Sequence, residues 1–131
     1  VKLIWYVALG GAAGSVLRFV LGGLIQRGVP MGYPWGTVVI NISGSLLLGL
    51  LMSYMLASPG ASAEARALLA TGFCGGYTTF STFSYEFIAL VQGGDWRGAG
   101  VYLGVTLLGS LVAAWLGLAA GHRLLLLQQR L

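Results

Sequence analysis

Ten charged side chains are all this sequence offers to water. They fall at Lys2, Arg18, Arg27, Glu64, Arg66, Glu86, Asp95, Arg97, Arg123 and Arg130. Uncharged runs fill residues 28–63, 67–85 and 98–122 between them. A soluble domain carries about a quarter of its residues as charges, against 8% of 131 residues here, too few to cover a water-facing surface. At 57% hydrophobic, the chain is also far from a disordered segment, which needs low hydrophobicity and high charge. Its 22 glycines follow no three-residue period, which excludes a collagen helix. A membrane span takes about 20 apolar residues. The chain therefore reads as a single all-α, four-helix transmembrane domain over residues 1–131.

The spans are expected at about 3–25, 35–57, 64–92 and 98–122. A turn rich in Gly and Pro over 28–34 separates the first two. Ser58-Pro59-Gly60-Ala61-Ser62 separates the next pair, with Ser62 placed to cap the helix ahead of Glu64. Gly93-Gly94-Asp95 precedes the fourth, and Trp35 and Trp96 suit the membrane interface. Lys2 and the small residues near 11–15 imitate a secretory signal, but Arg18 and further apolar sequence follow directly, so this stretch reads as a span. Four spans put both ends on one side, with Lys2, Arg66, Arg123 and Arg130 against Arg27 and Arg97 on the other. So weak a bias leaves two topologies open: termini inside, or insertion both ways up. The basic residues are scattered at span ends, with no patch that would suit nucleic acid.

One Cys and one His exclude a disulfide within the chain and a Cys-based metal cage. No nucleophile–base pair, paired carboxylates or Walker loop is present, so the chain is not expected to be an enzyme. What remains is polar side chains inside the spans. Gly72-Phe73-Cys74-Gly75-Gly76-Tyr77-Thr78-Thr79-Phe80-Ser81-Thr82-Phe83-Ser84 gathers glycines and β-branched and hydroxyl residues near mid-membrane. It is the expected position of a break in the third helix, where freed backbone groups can meet an ion. Phe80, Phe83 and Phe87 share a helix face, and ring edges are positive enough to meet an anion.

Thr37, Asn41 and Ser45 line one face of the second span, and Tyr102, Thr106 and Ser110 one face of the fourth. All but the Ser45 and Ser110 ends of these stripes, together with Arg18 and Glu86, lie in the same half of the bilayer. Hydroxyls and the Asn41 amide can donate to an anion. Arg18 lies roughly 6 Å past the middle of its span. Two readings of it stand: a functional charge, or an Arg that snorkels or pairs with Glu86. Polar residues from four helices converging on one vestibule suggest an ion path.

The same residues carry a family resemblance. Gly11-Ala12-Ala13-Gly14-Ser15-Val16-Leu17-Arg18, Thr37-Val38-Val39-Ile40-Asn41-Ile42-Ser43-Gly44-Ser45 and the 72–84 segment resemble the three motifs of the Fluc/CrcB fluoride channels, and the likeness covers the chain. Phe19 stands where many members have Tyr. The resemblance implies an antiparallel, dual-topology homodimer in the inner (plasma) membrane, with two narrow pores through which cytoplasmic fluoride leaves by passive electrodiffusion. It implies a structural sodium ion held by the backbone carbonyls of Gly75 and Thr78 of each subunit. It assigns Asn41, Phe80, Phe83, Thr82, Tyr102, Thr106 and Ser110 to the pore, and Thr37 and Glu86, with Arg18, to its vestibule. Two other readings compete. A small dual-topology exporter of cationic drugs relies on a Glu in its first span, where this chain has Arg18 and no carboxylate. A non-transporting membrane subunit explains small-residue packing but not aligned donors on three helices.

Overall fold

The computed structural model describes residues 1–29, 32–58 and 60–128. Pro30 and Met31 of the first expected turn, Pro59 of the second, and Arg130, counted above with the termini, lie outside the described residues. Helix α1 is Lys2–Arg27 and α2 is Trp35–Ala57. Helix α3 occupies 63–77, opening as Ala63–Ala65, widening to a π-helix over Arg66–Cys74 and closing as Gly75–Tyr77. Helix α4 is Phe80–Gln92 and α5 is Trp96–Gln128. No strand occurs among the described residues.

Helices α1, α2 and α5 are each long and apolar enough to cross a membrane. The third expected span is α3 and α4 together, interrupted at Thr78 and Thr79, whose backbones are extended. The interruption falls inside the expected segment, but not at its glycines. Gly72 and Gly76 stay helical, and a Cβ on either would strike the α1 backbone at Val7 or Gly11. Their use is close helix approach, which needs small residues on both sides. Gly10 and Gly14 answer them from α1, against the backbone of Leu68 and Phe73. The chain breaks instead at two β-branched hydroxyl residues, and Thr79 starts the next helix by accepting the Thr82 N–H on its own side chain at 3.2 Å.

The expected cap at Ser62 forms, its hydroxyl accepting from the Ala65 N–H at 3.0 Å. Helix α1 packs on α3, α2 packs along α5, and α4 lies against α5. At the α2–α5 seam a Cβ on Gly49 or Gly117 would meet the other helix's backbone. Helix α5 runs six residues past its expected end at 122, because Leu124–Leu127 favour helix. Its 33 residues span about 50 Å, longer than a hydrocarbon core of about 30 Å.

Candidate ion-permeation site

Breaking a helix inside a membrane orphans backbone groups, each of which costs several kcal/mol if left without a partner. Most are answered here by name. The Cys74 carbonyl accepts from Thr78, from its N–H at 3.0 Å and its hydroxyl at 2.9 Å. The Gly76 carbonyl accepts from Ser15 Oγ at 3.3 Å and from Arg18 Nε at 3.1 Å. Asn41 serves both sides of Thr79: its Nδ2 donates to the Thr79 carbonyl at 3.0 Å, and its Oδ1 accepts the Thr79 N–H at 2.8 Å. Gly44, one turn further along α2, has no room for a Cβ because the side chains of Thr78 and Tyr77 fill that space. Among the described residues, no loop, cap or side-chain donor reaches the carbonyls of Gly75 or Thr78. Gly75 faces outward from the chain.

Arg18 therefore braces the break. Of the two readings left open, pairing with Glu86 does not occur: the one salt bridge among the described residues joins Lys2 and Glu64 at the surface, 3.9 Å apart. Glu86 is held by hydroxyls instead. Thr37 Oγ1 donates to one carboxylate oxygen at 3.0 Å and the Tyr102 hydroxyl to the other at 2.6 Å. Three helices thus meet at one carboxylate, and Tyr102 is wholly buried.

Two cavities flank the break. One of about 200 Å³ is lined by Arg18, Thr37, Thr82 and Glu86, with Gln26 and Thr79. The other, about 230 Å³, is lined by Asn41, Ser45, Phe80, Phe83, Thr106 and Ser110, again with Thr79. The vestibule set and Thr82 fall in the first, and five of the seven pore residues in the second. Tyr102 lines neither; its hydroxyl holds Glu86 of the first cavity, and its ring lies 5.2 Å from that of Phe83 in the second. Phe83 is 4% exposed, while Phe80, with its ring centroid 5.5 Å away, is 72% exposed on the outer face of this chain. The hydroxyls of Thr106 and Ser110 are buried and have no hydrogen-bond partner among the described residues.

Thr79 joins both cavities, yet it has no role among the sequence expectations. A Thr immediately ahead of the Phe stripe is its signal as a helix cap. Ser15 and Gln26 also escape a reading based on span polarity, because each acts on a backbone group that sequence does not locate. Outside the spans, burial and then the nearby Asp95 carboxylate push the Tyr33 phenol above its ordinary value, so it stays neutral.

The family model described as "CrcB-like protein, Camphor Resistance (CrcB)" matches residues 5–118. This chain belongs to that family. The chain is 47% identical over 119 residues to a protein of Hyphomonas neptunium, covering 90% of this chain and 94% of the relative. It is 47% identical over 118 residues to a protein of Thermus thermophilus, covering 90% and 94%. It is 42% identical over 123 residues to one of Flavobacterium psychrophilum, covering 94% and 99%. Each of those relatives is named a fluoride-specific ion channel, FluC. Those names are of channels rather than enzymes, in keeping with spans whose polar groups line cavities.

Proposed function

We propose that this chain is a fluoride-selective channel of the plasma membrane, releasing cytoplasmic fluoride by passive electrodiffusion. The observation that carries the reading is the pair of unpartnered, buried hydroxyls of Thr106 and Ser110, which share a cavity with Asn41, Phe80 and Phe83. A buried hydroxyl without a partner is costly, and a small anion supplies the acceptor it lacks. Fluoride stripped of water needs a donor at each step, or desolvation stops it. The hydroxyls, the remaining Asn41 N–H and the ring edges of the two phenylalanines offer such donors in turn. Apolar rings also keep the passage narrow, which disfavours larger hydrated ions. Thr82 and Tyr102 complete the track, and Arg18, Thr37 and Glu86 form the vestibule.

The channel is an antiparallel homodimer with two pores. Supporting this, Phe80 is largely exposed on the single chain and Gly75 faces outward, so a second copy is what would cover them. The carbonyls of Gly75 and Thr78 fit a sodium ion, because they are unanswered by protein donors and sit where a helix end is unwound, a usual alkali-ion setting. Two carbonyls from each of two copies would hold the ion, which supplies positive charge that ties the breaks together.

Purified protein in liposomes, read with a fluoride electrode, tests the proposal. Fluoride efflux without a proton or drug gradient supports it. Proton-driven cation uptake would assign the chain to the exporters, and no flux would make it a non-transporting subunit.

A further inference from the structure

Beyond the two cavities at the break lies a third, about 470 Å³, opening outward between the turn after α1 and the far end of α4. Tyr33, Pro34, Leu90 and Asp95 line it, together with Gln26 and Glu86. Among the described residues, those last two are also the only ones it shares with the Arg18 cavity. Gln26 and Glu86 therefore stand where the outer cavity and the vestibule adjoin. The Glu86 wall is fixed by Thr37 and Tyr102.

The opposite wall is fixed by the Gln26 side chain, with both ends of its amide in use. Nε2 donates to the Tyr33 carbonyl at 2.9 Å, and Oε1 accepts the Gly36 N–H at 3.2 Å. The amide does both at once from two separate atoms, whereas a carboxylate accepts without donating and a thioether is at most a weak acceptor. One side chain thereby ties the turn to the first turn of α2, whose N–H groups have no helical partner. Tyr33 is held by this brace with its ring 4.8 Å from Trp35 and edge-on to Tyr102 at 6.0 Å.

We propose that Gln26 is a positioning residue of the pore mouth: by bracing Tyr33 against the start of α2, it keeps open the passage between the outer cavity and the Arg18–Glu86 cavity. This rests on the channel reading above. With the brace gone, Tyr33 keeps the Trp35 N–H on its carbonyl and the long 3.4 Å bond from its hydroxyl to the Gly98 carbonyl, a weaker hold that lets its ring shift toward the passage. Admission of fluoride then slows, while transit past Phe83 and Thr106 does not change.

The test is the fluoride-concentration dependence of flux through reconstituted wild type, Gln26→Met and Gln26→Glu. Gln26→Met keeps the shape and removes both bonds. It is expected to lower flux at least about fivefold at low fluoride, since each of the two lost hydrogen bonds weighs about that much, and to converge on wild type at saturating fluoride. Gln26→Glu loses the donor and adds a carboxylate beside Glu86 and Asp95. Its loss should be larger at low ionic strength and shrink as added salt screens the charge. An equal fractional loss at every fluoride concentration would overturn the proposal, as would no loss in either variant. Failure of both variants to purify as folded protein would also overturn it, making Gln26 structural. Absence of flux in wild type would sink the channel reading itself, a result distinct from all of these.

Discussion

Thr106 and Ser110 separate stability from conduction more cleanly than any other side chains in the protein. Their hydroxyls are buried without a partner among the described residues, so removing them forfeits no bond seen there. Thr106→Val and Ser110→Ala are expected to leave the thermal midpoint of the purified protein unchanged or slightly raised. Fluoride flux should nevertheless fall about tenfold or more, equivalent to ~1.4 kcal/mol of lost stabilisation of the ion in transit. A lowered midpoint with wild-type flux would show that the hydroxyls serve packing. Asn41 is the opposite case, because it bonds both backbone groups of Thr79. Asn41→Asp keeps the acceptor for the Thr79 N–H and sets a carboxylate against the Thr79 carbonyl. It should lose about 1–3 kcal/mol of stability, as for a buried group deprived of its partner, and nearly abolish flux. Chemical denaturation alongside the efflux assay checks both effects.

At the scale of elements, the break depends on a cap and on close approach. Thr79→Val removes the hydroxyl that accepts the Thr82 N–H, and should destabilise by about 1 kcal/mol. Gly44→Val forces bulk against Thr78 and Tyr77, where there is no space for even one carbon. It should cost about 1–3 kcal/mol as overpacking and disturb the break, read as a larger loss of flux than Thr79→Val causes. Equal, wild-type flux in both would mean that conduction does not depend on the geometry at Thr78 and Thr79. Much of this was legible in the sequence: α2 runs over the expected 35–57, and Ser62 caps where its spacing placed it. The third span is interrupted within the segment that composition marked. The residues of the interruption were not legible, because the glycines that weaken a helix alone are here held helical by α1. Composition reports the intrinsic cost of glycine, and only the neighbouring helix decides whether that cost is recovered as packing. The partner of Arg18 was hidden for the same reason: it is a backbone carbonyl at the break rather than the Glu86 carboxylate.

For the whole molecule, a single chain leaves Phe80 uncovered and, among the described residues, the carbonyls of Gly75 and Thr78 unanswered by side-chain or loop donors. Antiparallel pairing of two copies is the arrangement proposed to complete both. Reporters fused to the C-terminus are then expected on both sides of the membrane, and a reporter found on one side alone would contradict dual topology. Exchange of sodium for a bulky organic cation should inactivate or dissociate the dimer, whereas full activity in sodium-free buffer would remove the ion from the assembly. The most direct measurement of the central claim compares fluoride and chloride efflux from liposomes holding wild type, Phe80→Ile or Phe83→Ile, with Phe73→Ile as the control outside the two cavities. Isoleucine keeps bulk and removes the polarised ring edge. Expected are passive fluoride efflux without chloride efflux in wild type, near-loss in the first two variants as intact dimers, and a milder effect in the third. Wild-type fluoride efflux in both Phe80→Ile and Phe83→Ile would contradict a fluoride path through the cavity at the break.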